Sequence, residues 1–175
     1  MVSLTTTSLT VEEAIKTFIF TPMRQPELLP TILPLVAGAV VIELYFGKYS
    51  REELGWNTSV GNAVIWATTG VTLLMTTDMT QNETFAAYGL IAVGGFIGYM
   101  DFYHKWSDTV AFVVSSSGIV YTLAYISVIM IKTSMPVNRT TMKAAVAFLI
   151  GVNIVFKVVQ SMETSRDQPG LDFNG

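Results

Sequence analysis

The 23 residues from 109 to 131, TVAFVVSSSGIVYTLAYISVIMI, carry no charged side chain. A helix of roughly 20 residues, rising about 1.5 Å each, crosses a hydrocarbon core about 30 Å thick. A run this long and this apolar is a membrane span. It shows none of the strict alternation over about ten residues that a barrel strand would need, so the span is expected to be helical, with its backbone hydrogen bonds satisfied internally.

Four more runs have a similar length. Residues 28–47 read LLPTILPLVAGAVVIELYFG, with Pro34 in the first turns and Glu43 near the end. The run 57–76 includes SVGNAVIWATTGVTLLM, and the run 84–103 includes the glycine-rich YGLIAVGGFIGYM. Residues 140–159, TTMKAAVAFLIGVNIVFKVV, place Lys143 and Lys157 where they can snorkel to opposite interfaces. The expected fold class is therefore all-α: a polytopic transmembrane helical bundle of about five spans, four to five, with a short N-terminal interfacial helix. The expected plan is an N-terminal segment over 1–27, a transmembrane domain over 28–159 and a polar, mobile tail over 160–175.

The N-terminal helix is read from TVEE at 10–13, where Thr10 and Glu13 can form a capping box. It is expected over about 11–20, with Ala14, Ile15, Phe18 and Ile19 on one face, lying at the interface or packing on the bundle. Pro22, Pro26 and Pro30 are expected to break it. The segment has neither a basic start nor an uninterrupted apolar stretch and is not read as a cleaved signal.

Composition agrees with a membrane protein. Of 175 residues, 51% are hydrophobic and 13% charged, and the mean hydropathy is +0.50. A net charge of −3 gives no basic field, so no nucleic-acid partner is expected. With no cysteine there is no disulfide, thiolate ligand or Cys nucleophile. Orientation is undecided by charge: Lys16, Arg24, Lys132, Arg139 and Lys143 fall on one side, and Lys48, Arg51, Lys105, Lys157 and Arg166 on the other. Of three N-x-S/T triplets, those at Asn82 and Asn138 share a side and that at Asn57 lies opposite.

Four polar residues stand out as candidates. Glu43 interrupts an apolar run, and an ionised carboxylate at the bilayer centre costs at least about 2.5–3.5 kcal/mol. It therefore sits near an interface, faces other helices or is protonated; the functional reading is an ion or proton relay, and the simpler one places it at headgroup depth near the end of the span. Asp101 and His104, spaced i, i+3 in GYMDFYHKWSD at 98–108, would share a face if the helix continued that far. His104 is the only imidazole, so a metal site would need carboxylates or a partner chain, and Tyr99, Tyr103 and Trp106 make an interfacial anchor the simpler account. Lys132 closes the fourth run. Ser115 to Ser117 offer hydroxyls to the preceding turn or to neighbours such as Asn62 and Asn153. Gly94 and Gly98 have the Gly-x-x-x-Gly spacing of close helix packing. Glu52 and Glu53 with Arg51 could dock a partner.

The stretches FTPMRQPELLPTILPL, ELYFGKYSREELGWNTSVGN and DFYHKWSDTVAFVVSSSGIVYTLAYISVIMI resemble uncharacterised small polytopic membrane proteins of archaea and their viruses. The resemblance covers roughly residues 19–160 and implies no activity. No catalytic, cofactor-binding or metal-binding residue is assigned and no cofactor is expected, since phosphate loops, dinucleotide fingerprints, H-E-x-x-H and G-x-S-x-G are missing from the sequence. The expectation is a non-enzymatic structural or accessory subunit of a membrane assembly, in the cell membrane or a virion or host membrane, contacting lipid and a protein partner or its own copies. The alternative is a small transporter or channel using Glu43, the serine patch and Lys132. An enzyme using Asp101 and His104 comes third.

Overall fold

The computed structural model describes residues 9–48, 55–76 and 78–164. Arg51, Glu52 and Glu53, expected as a docking segment, and residues 165–175 of the expected tail lie outside the described residues. Those residues are all-helical: α1 (Val11–Arg24), a 3-10 turn (Pro26–Leu28), α2 (Leu29–Lys48), α3 (Trp56–Thr76), α4 (Gln81–Phe102), α5 (Asp108–Val114), α6 (Ser117–Lys132) and α7 (Arg139–Thr164). No strand occurs among them.

The capping box at the start of α1 is formed: the Thr10 hydroxyl accepts from the Glu13 amide at 3.2 Å, and the Glu13 carboxylate accepts from the Thr10 amide at 2.8 Å. The helix does not stop at Pro22 as expected but continues to Arg24. Proline lacks the N–H that would bond the carbonyl four residues back, here Phe18. The Tyr125 hydroxyl donates to that carbonyl at 2.6 Å and supplies the missing bond from α6. Phe18 is fully buried, its ring 5.4 Å from that of Phe148, and Ala14 and Thr21 are buried with it. So α1 docks against α6 and α7.

The most extensive helix pair is α3 with α4. Its antiparallel register is marked by two glycines. A Cβ on Gly94 would stand 2.6 Å from the Ala67 nitrogen, and one on Gly70 2.5 Å from the Ala87 carbonyl oxygen, so the backbones approach as only glycine permits. Gly98, expected to share this role, has room for a methyl, its nearest neighbour being the Ala63 Cβ at 3.6 Å. Around this pair, α2 packs on α6 and α7, and α6 on α3.

Three helical stretches, Pro26–Leu44, Gln81–Phe102 and Arg139–Ser161, are long and apolar enough to cross a membrane. Together α5 and α6 make a fourth if the bent pair crosses as one. The outward surface fits lipid: Phe85, Val93 and Phe96 of α4 and Ile150, Ile154 and Val158 of α7 are exposed. The region 109–131 departs from the continuous helix expected of it. It breaks at Ser115 and Ser116, and the halves meet at 40°. Consecutive serines offer the backbone competing hydrogen-bond partners, and here the Ser115 hydroxyl goes to Asp101 of α4 and the Ser117 hydroxyl to Glu43 of α2.

Candidate functional site

The break between α5 and α6 is where the two buried carboxylates, Asp101 and Glu43, find their serine partners. On its α5 side stands Asp101, in the last turn of α4 and 0% exposed. Its two carboxylate oxygens accept from the Trp106 indole N–H at 2.7 Å and the Ser115 hydroxyl at 2.6 Å. The Ser115 carbonyl, released from helical bonding, accepts from the Asn62 side-chain amide at 2.7 Å. On the α6 side stands Glu43, 6% exposed, accepting from the Ser117 hydroxyl at 2.8 Å and the Gln160 side-chain amide at 2.5 Å. Asn153 reaches the Gly118 carbonyl at 3.4 Å. Gly118 has no room for a Cβ between Asn153 and Glu43.

The two carboxylates are not equivalent. Ser117 is the first residue of α6, and no side chain caps that terminus, so Glu43 sits at the positive end of the α6 dipole. Asp101 instead meets the far end of the short α5. Among the described residues neither acid has a basic partner, and the ion pair found there is Lys16 with Glu12 at 2.6 Å, on the exposed face of α1. Glu43 lies five residues before the end of α2, about 7.5 Å along the axis. The cluster therefore sits below the end of the bundle where α3 begins and α4 gives way to α5.

Asp101 and His104 are not brought together. The helix ends at Phe102, and His104 takes a left-handed conformation with φ 49°. Its amide donates to the Asp101 carbonyl at 3.1 Å, and the Lys105 amide donates to that of Met100 at 2.8 Å, closing a Schellman turn. Asp101, still within α4, faces the interior, while beyond the turn the exposed imidazole stacks on Trp56 with ring centroids 4.0 Å apart. Phe112 meets Trp56 edge-on at 5.6 Å, and the exposed Tyr103 ring lies 4.9 Å from Tyr99 and 5.1 Å from Phe102.

Lys132 is remote from this site. It lies 15 residues along α6 from Ser117, about 22 Å, where its ammonium donates to the Thr76 carbonyl at 3.3 Å and caps the end of α3. At that opposite end, a cavity of about 610 Å³ is lined by Met130, Met135 and Met142 with Glu83. The Glu83 carboxylate is engaged by the Ser134 hydroxyl at 2.5 Å.

Two contributors had no place in the expected site. Gln160 falls where a tail was expected, but α7 runs on to Thr164 and carries it to Glu43. Trp106 was assigned to the interface, and only the fold turns its N–H onto Asp101. Ser59 on α3 is fully buried, and its hydroxyl has no hydrogen-bond partner. No protein-family model, curated protein or solved structure matches the chain.

Proposed function

We propose that the chain is a five-span integral membrane protein that works as a small transporter or channel for a small ion, with Glu43 in its path. One observation carries this reading. Two buried carboxylates with no basic partner among the described residues converge on the same break in a span. Ionisable groups at membrane depth are expensive and mark ion pathways, and broken helices expose backbone carbonyls and helix ends where transporters hold their ions. The fifth span in this reading is α3. Its 21 residues suffice for a crossing: Ser59, Asn62 and Thr69 are buried, Val64, Val71 and Met75 face out, and the exposed Thr68 and Thr76 hydroxyls bond back to the Val64 and Thr72 carbonyls of their own helix.

A structural or accessory subunit of a membrane assembly, bound to a protein partner or to its own copies, is the second reading. It is favoured by the neutral donors that already occupy all four carboxylate oxygens, as a clasp joining α2, α4, α6 and α7 requires. The purified chain in liposomes separates the two. The transport reading expects a flux of protons, sodium, potassium or a small anion that Glu43→Gln abolishes. No flux for any of these, with a stoichiometric partner recovered from native membranes, would establish the subunit instead.

A further inference from the structure

The polar core holds one hydroxyl that the bonding around the break does not use. Ser59 is 0% exposed and unpartnered, although a serine hydroxyl can donate once and accept twice. Buried polar groups are almost always paired, so such an orphan calls for an explanation. Its position supplies one. Gly98 of α4 faces Ala63 of α3, and in an antiparallel pair the residue one turn before Ala63 lies level with Asp101 and Phe102. That residue is Ser59. Asn62, three positions on and on the same face, already reaches the Ser115 carbonyl.

We infer that Ser59, Asn62, Asp101 and Ser115 form a binding site for a small alkali-metal cation between α3, α4 and the broken span. This deepens the transport reading and rests on the same polar core. The site provides one negative charge, from Asp101, with neutral oxygens around it. The Ser115 hydroxyl can donate to Asp101 and still offer lone pairs to an ion, and Ser59 contributes an oxygen with no other bond. A monovalent cation neutralises that charge and satisfies the orphan together. The donor set argues against a divalent ion, since no group of three His, Cys, Asp or Glu side chains gathers among the described residues. Lys105 and His104, the nearest basic groups in sequence, are both exposed, so neither replaces the cation. Trp106, bonded to Asp101, covers the site from the connector side.

The test uses the full-length chain in mild detergent, with thermal unfolding and the summed fluorescence of Trp56, Trp66 and Trp106 followed in sodium, potassium or choline chloride at constant ionic strength. A saturable rise in Tm of several degrees in sodium or potassium over choline is expected, together with a fluorescence change. Ser59→Ala and Asp101→Asn should both remove it, and Glu43→Gln should not. Where Asp101→Asn does not fold, Ser59→Ala still decides, because it deletes only the unpartnered hydroxyl. Equal Tm in the three salts, or a response unchanged by Ser59→Ala, overturns the site. A saturable response in a chain that conducts nothing in liposomes supports the cation site and defeats only transport. Flux without any cation-dependent response defeats the site alone.

Discussion

The Tyr125 hydroxyl donates to the Phe18 carbonyl at 2.6 Å, and that carbonyl is the one Pro22 leaves without its helical partner. A side chain on α6 thus completes the backbone of α1 and lets the helix run through a proline. The pair should behave as a coupled unit. Tyr125→Phe strands a carbonyl in the protein interior and is expected to cost about 1–3 kcal/mol. Pro22→Ala restores an N–H to the helix, so in that background Tyr125→Phe should cost much less. A double-mutant cycle on unfolding in detergent measures the coupling. Equal costs in both backgrounds would show that the hydroxyl is not the substitute for the missing amide.

His104 is expected to act through its backbone. A left-handed φ of 49° is disfavoured for a residue with a Cβ by about 1 kcal/mol and suits glycine. His104→Gly relieves this while losing the stack on Trp56, whereas His104→Ala loses the stack and keeps the strain. The glycine variant should therefore be the more stable of the two by about 1 kcal/mol in thermal or denaturant unfolding. The reverse order would mean that the imidazole does something the turn does not explain.

These two sites show where local patterns inform and where they stop. Signals confined to one helix are readable. TVEE at 10–13 announces the start of α1, and TQNE at 80–83 is the same signature at the start of α4, where a reading by hydropathy alone begins the span at 84. Glu43 and Asp101 stand out because carboxylates are costly in lipid, but their partners lie 74 and 14 residues away, and no local rule selects them. The neighbours suggested for the serine patch, Asn62 and Asn153, do reach it, yet they bond the carbonyls of Ser115 and Gly118, while the hydroxyls go to the acids. That exchange follows from the break, and neither proline nor any charge in 109–131 announces it. The spacing of Gly94 and Gly98 suggests a shared face but cannot say which of them meets a backbone.

The glycines of the α3–α4 pair give a direct test of that distinction. Gly94→Ala and Gly70→Ala force a methyl against backbone atoms of the partner helix, and each is expected to destabilise by about 1–3 kcal/mol. Gly98→Ala meets only ordinary contact and removes a flexible residue from a helix, so it should be neutral or stabilising by about 0.5–1 kcal/mol. Retention of native helicity during graded denaturation in detergent ranks the three. A Gly98 variant as damaged as the Gly94 variant would point to a packing surface on α4 other than the one formed with α3.

Acid should loosen the N-terminal helix before it affects the bundle. The Glu13 carboxyl is held below its ordinary value first by the hydrogen bond from the Thr10 amide and then by the Thr10 hydroxyl, with a smaller contribution from Lys16. A carboxyl depressed in the folded state contributes stability above its unfolded value of about 4.3, and that contribution is lost as pH falls through the lower folded value. The first turn of α1 should therefore keep its amide protection at neutral pH and lose it below about pH 4. Thr10→Ala should remove the pH dependence by weakening the cap at every pH, and Glu13→Gln should flatten it while leaving part of the cap in place. Hydrogen exchange at the amides of Glu13 and Ala14, read against those of α6 as an internal standard, follows the effect. A parallel loss in both helices would assign the acid sensitivity to the bundle and not to the cap.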